Sequence, residues 1–226
     1  MPLSIAVLVS GSGSNLQSLI EHIERGVLDA KITTVISNVP DAYGLIRAQN
    51  HNIPSRVVSH RDFPEREGFD EKLAQAVRES GAQAVVLAGF MRILTPTFLD
   101  AFPNRVINIH PAILPSFPGI HGQHQAADYG VRIAGCTVHL VDHKVDHGPI
   151  IIQAALPVRQ QEDGDSLAGR ILELEHRILP QAVQWLATGR LFIQGRQVRI
   201  APAEVDPAED GGCGNFLISP PLEQGF

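Results

Sequence analysis

The chain has 226 residues, of which 44% are hydrophobic and 19% charged, with a net charge of −6 at pH 7. These values describe an ordinary globule with ample core, and the length suits one α/β domain. The acidic balance argues against a nucleic-acid partner, which usually meets a basic face, and no apolar run approaches the roughly 20 residues of a membrane span.

The two cysteines, Cys136 and Cys213, lie far apart and in no C-x-x-C pair. Neither a disulfide framework nor a thiolate zinc site is expected, and a reducing compartment fits. The N-terminus has no basic n-region and only a short apolar run, so it reads as a strand rather than a signal peptide. The expected location is the cytoplasm.

Leu3 to Val9 is a nearly continuous apolar run, the pattern of a strand buried on both faces of a parallel sheet. It ends in Ser10-Gly11-Ser12-Gly13-Ser14-Asn15, after which Leu16, Leu19, Ile20 and Ile23 recur at helical spacing. Residues 31–37 form a second strand rich in β-branched side chains. Asp41 is placed to cap a helix ending near Asn50. A short extended piece at 56–58 leads to a helix from about 65 to 80, closed by Gly81. Residues 84–88 and 105–109 are buried strands, with a helical turn started at Pro96 between them. Strands alternating with helices predict a doubly wound, mostly parallel twisted sheet.

The second half changes character. Residues 110–120 hold three prolines and a glycine and read as a loop. A short helix at 121–129 precedes extended segments at 133–141 and 149–158, joined through 142–148 as an antiparallel edge. Residues 166–188 form one long helix with Leu167, Ile171, Leu174, Ile178 and Leu179 on its apolar stripe. Residues 191–200 read as a hairpin. No repeat or domain linker is visible, so residues 1–200 are expected to form a single domain and 201–226 a flexible tail.

The Gly11–Asn15 loop joins a buried strand to a helix, where free backbone N–H groups and the helix dipole favour an anion. A dinucleotide fingerprint needs a third glycine where Leu16 stands, and an acid near Ser37-Asn38. A P-loop needs a Gly-Lys-Ser/Thr that does not follow. A phosphate cradle remains, with Ser12, Gly13, Ser14 and Asn15 supplying donors; the plain alternative is a tight turn with a Ser or Asn cap.

Asn108 and His110 are two apart on one strand and therefore share a face. With Asp146 returning from a later loop they make a proton-handling trio without a nucleophile. That set suits direct acyl transfer, in which donors hold a tetrahedral oxyanion and a base moves a proton. No Ser-His-Asp order or G-x-S-x-G elbow supports an acyl-enzyme.

Four segments in register, the Gly11 loop, Leu87–Leu94, the Asn108-Ile-His110-Pro segment with Leu114–Gly119, and Val145–Ile151, resemble the phosphoribosylglycinamide formyltransferase family. The likeness covers residues 5–195. The resemblance implies a Rossmann-like formyltransferase fold and a reaction of purine biosynthesis: the glycinamide ribonucleotide amine attacks the formyl group of 10-formyltetrahydrofolate as co-substrate, without a metal. It implies Asn108, His110 and Asp146 as catalytic residues. It places the ribonucleotide at Ser12, Gly13, Ser14 and Asn15 with Glu175, for which a solvated helix face is the plain alternative. It places the folate against Met91, Arg92, Ile93 and Leu94, with Asn108, Val141, Asp142 and Asp146 opposite and Arg66 near the glutamate tail. Partners are small-molecule substrates, with no nucleic acid or membrane, and a monomer or homodimer is expected.

The chain departs from the family's commonest pattern at Ala112, where Ser is usual, and at His147, where Gly is common. His139, His143 and His147 are spaced by four, but in an extended or turn segment rather than on a helix, and no metal is expected there. His121 and His124 read as a helix start, and Cys136 as a small buried residue. The nearest competing activity is formyltetrahydrofolate deformylase, which shares the trio but normally carries an extra N-terminal domain. Methionyl-tRNA formyltransferase expects a C-terminal RNA-binding domain. A non-catalytic folate- or nucleotide-binding protein is the reading from another class.

Overall fold

β1 (Leu3–Val9) is buried almost throughout, with Ile5, Ala6, Val7, Leu8 and Val9 at 0% exposure, as its apolar run requires. The computed structural model describes residues 1–202 and 216–226. These fall into two compact units, residues 1–108 with 140–143, and residues 109–139 with 144–202 and 216–226.

In the first unit, β1 pairs in parallel with β2 (Ala30–Ser37) on one side and β4 (Ala84–Leu87) on the other. β3 (Ser55–Val57) extends the sheet beyond β2, and β5 (Val106–His110) joins β4 through Val106, Ile107 and Asn108. Parallel strands leave their carboxyl ends at one rim, which puts Ser10, Asn38 and Ala88 there. The helices are α1 (Ser14–Glu24), α2 (Tyr43–Asn50), α3 (Arg66–Glu79) and the short α4 (Pro96–Leu99). Phe69, Leu73, Ala74, Ala76 and Val77 of α3 pack on Leu8, Ile36, Val85 and Leu87 of the strands and on Phe98 and Phe102. Each such fully buried large side chain contributes about 1.5–3 kcal/mol. Gly81 follows α3 at φ +72°, the left-handed conformation expected of a helix-ending glycine.

Asp41 does not cap α2: the N-cap is Ala42, without a side-chain hydrogen bond. The reason lies in the glycine loop, whose Gly11 carbonyl accepts the Gly44 N–H at 3.0 Å and so satisfies a first-turn donor from outside the helix.

In the second unit, α5 (Gly122–Tyr129) precedes β6 (Ile133–Leu140), which pairs antiparallel with β7 (Ile150–Pro157), with a register shift between Val138 and His139. α6 (Gly164–Ala187) starts two residues before the predicted position, because the Asp163 carboxylate accepts the Ser166 N–H at 2.8 Å and serves as N-cap. Its predicted stripe of Leu167, Ile171, Leu174, Ile178 and Leu179 is buried throughout. β8 (Leu191–Gln194) and β9 (Gln197–Ile200) form the expected hairpin.

Of the predicted tail, residues 203–215 lie outside the described residues. Residues 216–226 are not loose. β10 (Leu217–Ser219) pairs antiparallel with β7, Leu222 is buried, and the Glu223 carboxylate accepts from Arg190 at 2.6 Å and Trp185 Nε1 at 3.0 Å. An open β7 edge and a buried indole N–H both need partners, and this segment supplies them. The eight-stranded sheet therefore runs β10-β7-β6-β5-β4-β1-β2-β3, with its antiparallel edge completed by β10 rather than β7. No helix among the described residues is long and apolar enough to cross a membrane.

Candidate active site

β5 carries Asn108, half-buried, and His110, 3% exposed, on one face by strand alternation. Pro111 ends the strand, and the following loop returns the Phe117 carbonyl to 2.9 Å from His110 Nε2. A carbonyl only accepts, so Nε2 carries a hydrogen, and Nδ1 is the nitrogen that faces Asp146 Oδ2 across 3.4 Å. Asp146 sits at φ +48°, the left-handed region that Asp tolerates better than most residues. Its Oδ2 also accepts the Gly119 N–H at 2.6 Å.

Sequence reasoning missed the third member of this cluster. His139, 1% exposed on β6, directs Nε2 to 3.8 Å from Asp146 Oδ1, so the carboxylate stands between two buried imidazoles. The available signal was an ionisable ring in the otherwise buried run from Cys136 to Leu140, which is costly unless paired. The spacing by four has no meaning here: His143 pairs with Asp100 at 3.1 Å, and His147 meets Arg196 Nη1 at 3.1 Å from both ring nitrogens. No group of three or more His, Cys, Asp or Glu among the described residues could hold a metal ion.

The glycine loop belongs to the first unit. Gly13 is the α1 N-cap at φ +68°, and a Cβ there would lie 2.7 Å from the Gly44 Cα. Close approach of α2 thus demands this glycine, whatever the loop binds. Ser12 is exposed, Ser14 half-buried and Asn15 buried, and the first turn of α1 has no acidic residue to offset its dipole. Arg47, also unforeseen, donates through Nε to the Ser12 carbonyl at 2.8 Å and brings a cation beside the loop.

Residues 91–94 form a ledge in the same unit. Met91 and Ile93 are 67% and 55% exposed, while Leu94 is buried and the Arg92 guanidinium lies 5.1 Å over the Phe69 ring. The Met91 N–H already donates to Ser10 Oγ at 2.8 Å, and Ser10 Oγ in turn donates to Asn38 at 2.6 Å. The ledge therefore offers chiefly apolar side chains rather than the Met91 amide. Arg66 is exposed at the start of α3, Asp142 is half-buried, and Val141 packs against the α3 core with its N–H on the Val106 carbonyl.

Glu175 is 6% exposed on α6, which rules out the solvated-face reading. Its charge adds to burial in pushing the Cys136 thiol well up, so that thiol stays protonated and inert. His110, His139, Asp146 and Glu175 belong to the second unit. The glycine loop, the ledge and Asn108 belong to the first.

Residues 3–183 match the family described as formyl transferase. The chain belongs to that family. It is 39% identical over 189 residues to phosphoribosylglycinamide formyltransferase of Escherichia coli (strain K12), covering 84% of this chain and 89% of that protein. A crystal structure of glycinamide ribonucleotide transformylase 1 from Symbiobacterium toebii shares 46% identity with a TM-score of 0.88, over 89% of this chain and 95% of that one. Phosphoribosylglycinamide formyltransferase from Coxiella burnetii, solved in complex with CHES, gives 41% identity and a TM-score of 0.84, over 88% and 94% of the two chains. The trifunctional purine biosynthetic protein adenosine-3 of Drosophila pseudoobscura pseudoobscura is 45% identical over 208 residues, 91% of this chain, but the chain spans only 15% of that protein's length. The resemblance carried by the four motifs is thus confirmed as family membership, and the structural likeness bears out the fold.

Proposed function

We propose that the chain transfers the formyl group of 10-formyltetrahydrofolate to the amine of 5'-phosphoribosylglycinamide, as a phosphoribosylglycinamide formyltransferase of purine biosynthesis. The observation that carries this reading is the buried His110–Asp146–His139 cluster at the end of β5, with Asn108 on the same strand face as His110. It supplies donors and a carboxylate but no nucleophile.

The amine nitrogen attacks the formyl carbon, and the carbonyl oxygen becomes an oxyanion. Asn108 donates an amide N–H to it, an interaction worth about 3–4 kcal/mol in comparable sites. His110 donates through Nε2, with the oxyanion replacing the Phe117 carbonyl as acceptor. Asp146 receives the amine proton through water, the carbon–N10 bond breaks, and N10 takes a proton in return. His139 orients the carboxylate from its Oδ1 side. The ribonucleotide phosphate lies at Ser12–Asn15, where the α1 dipole and Arg47 favour an anion, and Glu175 contacts the ribose. The folate ring lies on the ledge, whose outward Met91 and Ile93 suit a flat heterocycle. Val141, Asp142 and Asp146 contribute further folate contacts, and Arg66 reaches the glutamate tail.

The test is the rate of 10-formyltetrahydrofolate consumption with and without the ribonucleotide. Consumption that requires the ribonucleotide supports the transferase. Equal consumption in its absence, with release of formate, would make the chain a deformylase.

A further inference from the structure

α3 turns one ionisable side chain into the core. Asp70 is 1% exposed among Phe69, Leu73, Ala74, Ala76 and Val77, and a carboxylate in such a place is costly unless it is paired. Its hydrogen-bond partner and the nearby cation lie on one stretch of chain. Oδ2 accepts the Thr95 N–H at 2.5 Å, and the attracting charge is Arg92, folded inward over Phe69 with its Nε buried. The Thr95 hydrogen bond ties down the far end of the ledge, the Arg92 guanidinium packs over Phe69 beside Asp70, and Ser10 Oγ holds the Met91 end. With Arg92 turned in and Thr95 tied down, Met91 and Ile93 are left facing outward.

We propose that Asp70 is a positioning residue for binding of the formyl donor: from α3 it fixes the backbone of 92–95 so that Met91 and Ile93 present an apolar shelf to the folate ring. This rests on reading the ledge as the folate wall. Asp70 itself touches no substrate.

Stability alone does not account for the charge. Burial pushes the Asp70 carboxyl above its ordinary range, and the Thr95 N–H and the Arg92 charge offset this only in part. A neutral side chain of the same shape would accept the Thr95 N–H without the cost of a buried anion. What it would not do is set a negative charge facing the Arg92 guanidinium.

Two variants separate the contacts. Asp70→Asn keeps an acceptor for Thr95 and removes the charge facing Arg92. Thr95→Pro removes the N–H and leaves the carboxylate, at a residue whose φ of −84° lies near the proline range. Each is expected to raise the KM for 10-formyltetrahydrofolate about tenfold, with kcat and the ribonucleotide KM changed by less than about twofold. In Asp70→Asn, amide exchange should quicken at 91–95 but not in β1 or β4, and Tm at pH 7 should not fall. A merely structural role would lower Tm and shift both KM values together, and that result overturns the proposal. So does an unchanged KM for the formyl donor, or unchanged exchange at 91–95. A wild-type chain that consumes no formyl donor refutes the proposed function instead. In that case the exchange measurement still decides whether Asp70 holds the ledge.

Discussion

Asp146→Asn changes one oxygen to an amide nitrogen at the centre of the cluster. The variant keeps an acceptor for the Gly119 N–H, now at 2.6 Å from Oδ2, so the 142–148 loop retains its path. It loses the group that can take a proton, and it turns the unit flanked by His110 at 3.4 Å and His139 at 3.8 Å from an anion into a neutral amide. A positioned general base contributes roughly 10²–10⁴ in rate, so turnover should fall at least about a hundredfold. At about 1.36 kcal/mol per factor of ten, that is about 2.7 kcal/mol of lost transition-state stabilisation. The KM for 10-formyltetrahydrofolate should rise by less than about tenfold, because only the Asp146 contact to the folate changes and the Met91–Leu94 ledge is untouched. Steady-state formation of the formylated ribonucleotide, with the variant's fold verified by its denaturation midpoint, measures both. Near-normal turnover in a folded variant would refute the role of Asp146 as the proton acceptor.

Three further outcomes concern the frame around the site. Gly13→Ala combines a left-handed backbone with a 2.7 Å approach to the Gly44 Cα and should cost at least about 2 kcal/mol in urea unfolding; a wild-type midpoint would contradict the close α1–α2 approach. Glu223→Ala strips the Trp185 and Arg190 side chains of a shared acceptor and should cost about 2 kcal/mol, read by thermal unfolding; no loss would mean that residues 216–226 are not docked in solution. The raised Asp70 pKa sets a sign for pH dependence: the folded state binds this proton more tightly than the unfolded one, so its stabilising share is full below about 3.8 and is lost as pH rises through the raised folded value. Asp70→Asn should abolish that decline, and parallel stability–pH curves for the two proteins would contradict the shift.

Elements driven by local pattern were legible in the sequence. The Leu3–Val9 run, the α6 stripe and the helix-ending Gly81 each follow from spacing or backbone preference, and all are where they were expected. Features created by distant segments were not. Asp41 looked like a cap because nothing in the sequence shows that the Gly11 carbonyl reaches Gly44. Residues 216–226 looked loose because proline, glycine and acid dominate their neighbourhood, whereas β10 and Glu223 are held by partners on β7 and α6. The site divides the same way. Asn108 and His110 are linked by strand alternation alone, but His139 joins Asp146 only through β6–β7 pairing and its register shift beside Val138. The depth at which Glu175 and Asp70 lie was equally out of reach, since charge on a helix ordinarily marks the solvated face.

The proposed reaction passes a formyl group from folate to an amine rather than to water. The most direct measurement follows the carbon itself: incubate the chain with isotopically labelled 10-formyltetrahydrofolate and 5'-phosphoribosylglycinamide, and trace the label. Label is expected in the formylated ribonucleotide, matched mole for mole by tetrahydrofolate. Label recovered as formate, with the ribonucleotide unmodified, would contradict it.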